Sequence, residues 1–143
     1  MDVRKGNSRI SLEITITKKH HGTLINHAQS RFPNESCALL FGTEKSGTAT
    51  VTDIFLAENI ERSPVNFTIA NDELLRAYRE AEQKNLDVVG IFHSHPHSEA
   101  FPSATDKKFM GINPVVWVIS DKKGELKAYV LDSEVMQVPV RIV

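Results

Sequence analysis

The chain has 143 residues, of which 41% are hydrophobic and 24% charged, a length and composition that suit one domain over residues 1–143. Seventeen basic and eighteen acidic residues nearly cancel, so no charge pattern indicates nucleic acid or an anionic membrane. The one cysteine, Cys37, excludes an internal disulfide, and neither a signal peptide nor a membrane-spanning run is evident. We therefore expect a cytoplasmic protein, alone or brought to its place of action by a larger proteolytic assembly.

The first predicted elements are a strand, a helix and a hairpin. Residues 1–8 are polar and expected to fray. Apolar residues alternate in RISLEITIT, which predicts a half-buried strand. Thr17 can cap a helix over KKHHGTLINHAQSRF, which ends before Pro33 and should leave its histidines exposed. ESCALLFG and TATVTDIFLA follow as strands, joined by an EKSG turn in which Gly47 can take positive φ.

A flap, a second helix and a central strand come next. ENIERSPVNF is polar around Pro64 and indicates an exposed loop. LDVVGIF is a continuous apolar strand, expected in the middle of the sheet, and it leads directly to His93. The segment that separates the loop from this strand, NDELLRAYREAEQKN, has the strongest helical pattern in the chain. Its predicted apolar stripe is Leu74, Leu75, Tyr78 and Ala81.

The remaining chain predicts one helix and three strands. SATDKKFMGI is the helix, and PVVWVIS, ELKAYVL and VMQVPVRIV are the strands, with a DKKG turn between the first two. Strands and helices thus mix, with several hairpins. This order favours an α/β fold of three layers, in which a mixed β-sheet is flanked by helices.

The stretch GIFHSHPHSEAFPSATD holds half of the six histidines. Residues two apart on a strand face the same side, so His93 and His95 present two imidazoles to one point. Pro96 ends the strand, and the chain returns into a helix at Ser103, with Asp106 in its first turn. Two nitrogens and one carboxylate oxygen would form the ligand set of a catalytic zinc site, with one position left for water.

A zinc site of this kind gains from a nearby carboxylate that accepts a proton from water. The candidates are Glu99 in the loop and Glu35 at the head of a buried strand, and we favour Glu35, because a carboxylate there needs a partner. Each signal also has an ordinary interpretation. The histidine pair can be a surface feature, Ser103 and Asp106 a helix capping box, and Glu35 an exposed acid. His97 can be a third ligand, a supporting donor or a solvated side chain.

These residues resemble a known family. His93-Ser94-His95, seven residues, Ser103, two residues and Asp106 match the H-S/T-H-x7-S-x2-D pattern of the JAMM metalloproteases, the active (MPN+) branch of the MPN domain family. PNESCALLFG resembles the second signature of that family, a Pro-x-Glu before a strand that closes on Gly. The likeness runs from about Ile10 to the C-terminus. It implies an MPN core, which is cytidine-deaminase-like, and its compactness is similar to stand-alone archaeal and bacterial members.

The resemblance implies a zinc-dependent peptidase or isopeptidase that hydrolyses the bond after the C-terminal Gly-Gly of ubiquitin or a ubiquitin-like modifier. One Zn²⁺ per chain would be held by His93, His95 and Asp106. Glu35 would move the proton, and Ser103 would help to hold the oxyanion. The flap would line the groove for the Gly-Gly tail and offer it a strand edge, formed by Val65, Asn66, Phe67 and Thr68.

Three other hypotheses compete with this one. In a cupin-type metal protein, His93, His95 and Glu99 would be the ligands. A non-catalytic MPN scaffold would only bind partners. Processing of a ubiquitin-like sulfur-carrier protein would use the same chemistry on another Gly-Gly substrate, and the sequence does not separate it from deubiquitination.

Overall fold

The computed structural model describes residues 10–143, so the expected fraying of residues 1–8 lies outside the described part of the chain. This range contains three helices and eight strands, and none of these helices is long and apolar enough to cross a membrane. In chain order the elements are β1 (Glu13–Ile16), α1 (Lys18–Arg31), β2 (Cys37–Lys45), β3 (Thr48–Ala57), α2 (Asn71–Gln83), β4 (Asp87–Ser94), α3 (Ala104–Ile112), β5 (Val116–Ser120), β6 (Leu126–Asp132), β7 (Glu134–Val138) and β8 (Val140–Ile142).

The described strands form one mixed sheet in the order β7-β6-β5-β4-β2-β3-β1-β8. β4 lies in its middle, antiparallel to β2 and parallel to β5. Its unbroken apolar sequence predicted this place, because a strand covered on both faces has no side for polar residues. The predicted α/β class with a mixed sheet is therefore confirmed.

Helices cover both faces of the sheet. Leu24 and Ala28 of α1 pack into the apolar cluster on one face. Ala77 and Ala81 of α2 pack on the other face, where Met110 of α3 joins a neighbouring cluster. The sheet is thus the middle of three layers, with α2 and α3 side by side over the face toward which His93 points.

The first elements appear close to where periodicity and capping residues placed them. α1 begins after Thr17, whose hydroxyl accepts a hydrogen bond from the His20 amide at 3.1 Å. β1 is shorter than predicted and starts only at Glu13. The side chain of Leu12 is exposed, and its amide donates to the Gly47 carbonyl of the hairpin turn at 2.6 Å.

Two glycines set the hairpin of β2 and β3. Gly47 has a φ of 86°, the positive φ predicted for it, and it forms a two-residue turn with Ser46 between the paired Lys45 and Thr48. Gly42 lies at a bulge, where a Cβ would stand 1.8 Å from the Thr50 carbonyl oxygen, so no side chain fits. The hairpin register is therefore set by backbone contacts, and it carries through β2 toward Glu35.

The last predicted strand is in fact two strands. Pro139 interrupts VMQVPVRIV, because proline has no amide hydrogen to give to a ladder. β7 stays beside β6, whereas β8 pairs in parallel with β1 at the opposite end of the strand order. Since one residue joins the two outermost strands, the sheet curls round on itself, and the Ile14 amide donates to the Pro139 carbonyl at 3.0 Å.

The predicted stripe on α2 is only half right. Leu74 and Ala81 face the sheet, but Leu75 and Tyr78 are 53% and 44% exposed. Ala77 takes the inner position instead. Two alanines let the helix approach the sheet closely, which leaves the larger side chains at its margin.

The flap between β3 and α2 contains no strand within the described residues. The structure therefore shows no preformed strand at Val65, Asn66, Phe67 and Thr68, and their part in substrate binding stays a prediction. Polar backbone groups of this segment pair inside the loop, since the Asn66 carbonyl and the Thr68 amide both bond to the Asn59 side chain. A loop that satisfies its backbone internally has less of it to offer as an open edge.

Candidate metal centre

His93 and His95 stand at the end of β4, in the centre of the sheet. His93 pairs in register with Cys37 on one side and Ile119 on the other. Just beyond the strand, the His95 amide donates to the Ser120 carbonyl at 2.8 Å. Both imidazoles are buried. Neighbouring strands hold the backbone of each histidine, so both rings are directed to the same side of the sheet.

Ser94, between the two histidines, ties β4 to the residue after Glu35. Its Oγ accepts a hydrogen bond from the Ser36 amide at 2.8 Å and lies 3.0 Å from the Ser36 Oγ. Its amide donates to the Ser36 carbonyl at 3.1 Å. Both serines are buried. These bonds fix the segment that carries Glu35 against the histidine strand.

Asp106 enters the site from the first turn of α3. The Ser103 Oγ accepts a hydrogen bond from the Asp106 amide at 3.0 Å, and the Ser103 amide donates to Asp106 Oδ2 at 2.9 Å. The capping box considered as the ordinary interpretation is therefore present. It does not compete with metal binding, because the same Oδ2 faces both imidazoles. The cap instead holds this carboxylate in place.

Three possible ligand atoms form a small triangle. His93 Nε2 and His95 Nε2 are 3.0 Å apart, and Asp106 Oδ2 lies 3.1 and 3.2 Å from them. In a tetrahedral zinc site with bonds of about 2.0–2.1 Å, two ligand atoms are about 3.3–3.4 Å apart. The triangle therefore fits zinc with a slight expansion.

The proton on His95 is placed by the backbone. Its Nδ1 lies 2.8 Å from the Glu99 carbonyl oxygen, which can only accept, so Nδ1 carries the hydrogen. In the neutral ring Nε2 is then a lone pair, directed at Asp106 Oδ2 and at the other histidine. A lone pair close to a carboxylate oxygen calls for a cation or a proton between them, and the donor set itself therefore suits a metal ion.

Glu35 faces this triangle from the other side. It is 4% exposed, its Oε2 lies 3.9 Å from His95 Nε2, and its Oε1 has no hydrogen-bond partner in the described residues. Ligand atoms of Glu35, His93 and His95 all lie within 4.8 Å of one another. Asp106 is closer to both rings, so it completes the triangle, and Glu35 stands just beyond it.

The pKa values of Glu35 and Asp106 are shifted in opposite directions. Burial raises the pKa of Glu35 to about 8, and the neighbouring His95 offsets only part of this. Burial would also raise the pKa of Asp106, but contacts with both histidines and the Ser103 amide hold it well below its ordinary value. Burial lowers the pKa of His93. Asp106 is thus the permanent anion, while Glu35 can hold or release a proton near neutral pH.

Aromatic rings wall the site. Phe67 of the flap stacks on His93 with ring centroids 4.7 Å apart, and Trp117 of β5 meets the same imidazole edge-on at 5.8 Å. Of the four flap residues predicted to bind substrate, Phe67 is the one in contact with a histidine of the site, whereas Val65 is 65% exposed. The flap therefore adds an apolar cover to one imidazole of the candidate site.

Two polar residues of the histidine loop stay outside. His97 is exposed, with Nε2 3.2 Å from the Pro33 carbonyl oxygen and its ring against Phe32. Glu99 is also exposed and gives the site its carbonyl, not its carboxylate. The cupin ligand set that needs Glu99 is therefore not assembled, and Glu99 is a poor alternative to Glu35 as the base.

Sequence reasoning missed three residues that brace the site. The Tyr129 hydroxyl donates to the Ala100 carbonyl at 2.6 Å, and Asn59 Nδ2 donates to the Glu35 carbonyl at 3.1 Å. His27, expected to be exposed, is buried, and its Nε2 contacts two strand carbonyls. All three act on backbone groups far away in sequence, and such contacts leave no periodic pattern.

The chain is similar to known proteins over most of its length. The sequence model of a family described as prokaryotic homologs of the JAB domain matches residues 17–132. A desampylase of Pyrococcus furiosus is 38% identical over 136 residues, which cover 95% of this chain and 94% of the relative. A CysO-cysteine peptidase of Mycobacterium tuberculosis is 31% identical over 125 residues, 84% of each chain. The solution structure of protein DSY2949 from Desulfitobacterium hafniense matches with a TM-score of 0.81 at 28% identity, covering 91% of this chain and 92% of that one.

Proposed function

Because the chain belongs to the family of prokaryotic homologs of the JAB domain, we propose that it is a zinc-dependent isopeptidase acting after the C-terminal Gly-Gly of a ubiquitin-like modifier. The resemblance to JAMM metalloproteases is confirmed by this membership, and the chain is a hydrolase of that type. One observation carries the proposal. Two imidazole nitrogens and a carboxylate oxygen converge within 3.2 Å, and the buried carboxyl of Glu35 lies 3.9 Å from one of these nitrogens.

Three side chains would hold the single zinc ion of each chain. His93 and His95 would bind it through Nε2, and Asp106 through Oδ2. When bound, zinc supplies a Lewis acid that polarises a carbonyl and lowers the pKa of water. The donor set supports zinc over calcium or magnesium, because imidazole nitrogens suit zinc and the hard cations prefer oxygen.

Two further side chains, Glu35 and Ser103, would take part in the reaction without binding the ion. The unpartnered Oε1 of Glu35 takes a proton from the attacking water and returns it to the leaving amine. A raised pKa suits both steps, because the group must accept a proton and then donate it near neutral pH. The Ser103 Oγ accepts a hydrogen bond from the Asp106 amide. Its own hydroxyl hydrogen stays available and is donated to the oxyanion.

The partner is a ubiquitin-like protein whose tail lies under the flap. A Gly-Gly tail has no side chains, so it fits a narrow path beside Phe67 and the histidines. We propose that Val65, Asn66, Phe67 and Thr68 bind the substrate as a loop held by the Asn59 side chain. The relative named CysO-cysteine peptidase favours a second candidate, the processing of a ubiquitin-like sulfur-carrier protein by the same chemistry.

The test is a panel of ubiquitin-like fusions and lysine-linked conjugates that end in Gly-Gly, incubated with and without chelator. We expect cleavage that chelator abolishes and added zinc restores. Glu35→Gln should lower turnover by about 10²–10⁴-fold, because it removes the proton carrier, while zinc affinity stays near the wild-type value.

Glu99→Gln is the matched control, since it changes an exposed carboxylate near the site and should keep activity within about twofold. Cleavage that survives both chelator and Glu35→Gln would refute this mechanism. Zinc binding without cleavage of any panel member would support the non-catalytic scaffold instead.

A further inference from the structure

We propose that Asn59 is a positioning residue that couples Glu35 to the flap, so that the base and the loop over the groove move as one unit. This inference rests on the proposed function, since it concerns the residue given the proton-carrying role. Asn59 lies two residues after the end of β3 and before the exposed part of the flap. Nothing in its sequence context marks it out from other polar loop residues.

The Asn59 side chain uses its full hydrogen-bonding capacity. Nδ2 donates to the Glu35 carbonyl at 3.1 Å and to the Asn66 carbonyl at 3.0 Å. Oδ1 accepts from the Glu61 amide at 3.0 Å and the Thr68 amide at 3.1 Å. An amide offers two donor hydrogens and two acceptor lone pairs, so none is left over. Its orientation is fixed, because a flip would set N–H against N–H and oxygen against oxygen.

The backbone of Glu35 is held by the flap at both of its polar groups. Its amide donates to the Ser63 carbonyl at 2.8 Å, and its carbonyl accepts from Asn59. The sheet ladder of β2 begins only at Cys37. The carboxylate Oε1 has no partner of its own in the described residues. The place of the carboxylate therefore depends on its backbone, which the flap holds at Glu35 itself and Ser94 holds only at the next residue, Ser36.

The same amide also sets the aromatic cover of the metal centre. Asn66 and Thr68, the residues on either side of Phe67, both have a backbone group bonded to the Asn59 side chain. Phe67 in turn stacks on His93 at 4.7 Å. One side chain thus holds the proton carrier and the ring that covers a metal-facing imidazole. A modifier that displaces the flap on binding would therefore also shift the backbone of Glu35, through the side-chain amide of Asn59.

The test compares Asn59→Asp with Asn26→Asp in the zinc-loaded protein. Asn59→Asp keeps the shape but replaces two donors with oxygen, which repels the Glu35 and Asn66 carbonyls. We expect hydrogen exchange at the Glu35 amide and across residues 61–68 to rise about tenfold. We expect kcat to fall about tenfold as well, because the base loses its place. Zinc affinity should stay within about twofold, since Asn59 bonds to none of the three proposed ligands.

Asn26 lies on the exposed side of α1, so Asn26→Asp makes the same chemical change away from the site and should alter none of these readouts. Unchanged exchange at the Glu35 amide would overturn the tether. Faster exchange with the kcat of the control would overturn the positioning role. If the wild type cleaves nothing, the proposed function fails, and the exchange data still decide the tether. Should Asn59→Asp not fold, Asn59→Ala removes the same donors without charge, with Asn26→Ala as control.

Discussion

His95 is aimed by a backbone carbonyl, and that carbonyl is anchored by a phenol from a distant strand. The Glu99 carbonyl accepts from His95 Nδ1 at 2.8 Å, and the next carbonyl, of Ala100, accepts from the Tyr129 hydroxyl at 2.6 Å. Tyr129 is buried on β6, two strands away from β4. Its ring also meets Phe101 edge-on at 5.7 Å. The loop that fixes the His95 tautomer is therefore held from the side of β6.

Tyr129→Phe should weaken zinc binding about tenfold, at the lower end of what loss of an outer hydrogen-bond partner costs a metal site. The variant keeps the ring and its contact with Phe101, so only the hydroxyl is lost. Competition with a chelating dye measures the zinc dissociation constant. Tyr78→Phe, which changes an exposed phenol on α2, is the control and should bind zinc as the wild type does. An unchanged zinc affinity in Tyr129→Phe would rule out this anchoring role.

Helix α1 is fastened to the hairpin of β2 and β3 by one buried histidine. His27 Nε2 lies 3.1 Å from both the Cys37 and the Ala57 carbonyl oxygens, which are paired across the hairpin. Two acceptors face one nitrogen, so Nε2 carries the hydrogen. Burial lowers the pKa of His27, and the two carbonyl bonds only partly oppose this. The neutral ring is therefore the form that the fold favours.

His27→Ala should cost about 1–3 kcal/mol of unfolding free energy at pH 7.5, because two buried carbonyls lose their donor. The unfolded histidine titrates near pH 6.5. Since its folded pKa is lower, this stabilisation is complete above pH 6.5 and is lost as pH falls through the folded pKa. The stability gap between wild type and His27→Ala should thus narrow between pH 7.5 and pH 5. Urea unfolding of the zinc-free proteins measures it, and a gap that widens in acid would contradict the buried neutral ring.

Over the whole molecule, the candidate metal centre and the sheet closure join different parts of the fold. β8 closes the curled sheet beside β1. The candidate metal centre instead links β4 to α3, because its three converging atoms come from the strand end and the first helical turn. Bound zinc would therefore crosslink the middle of the sheet to one outer layer.

Zinc should raise the melting temperature of the protein. At a free concentration about 1,000 times its dissociation constant, a ligand adds about 4 kcal/mol to the folded state, or about 10 °C for a chain of this size. Calorimetry with zinc and with chelator measures the difference. Asp106→Ala should lose most of the zinc-dependent shift, whereas Asp132→Ala, an exposed acid at the end of β6, should keep it. A full shift in Asp106→Ala would remove Asp106 from the ligand set.

Local chemistry in the sequence determined most elements and the core of the candidate site. Strand alternation and the Thr17 cap located β1 and α1. The two-residue repeat placed His93 and His95 on one side of a strand, and the Ser103 cap placed Asp106 in a first turn. These are rules of short range, in which spacing along the chain fixes direction in space. They needed no knowledge of what lies across the sheet.

Tertiary packing decided the rest. It exposed Leu75, because two small alanines brought α2 close to the sheet, and it sent β8 to the far end of the strand order after Pro139. It also joined Asn59 to Glu35 and Tyr129 to the histidine loop. Each of these contacts links a side chain to a backbone group whose place depends on how whole layers meet. Every residue has the same backbone carbonyl, so no pattern of side chains along the chain predicts which carbonyl will accept a hydrogen bond from a distant side chain.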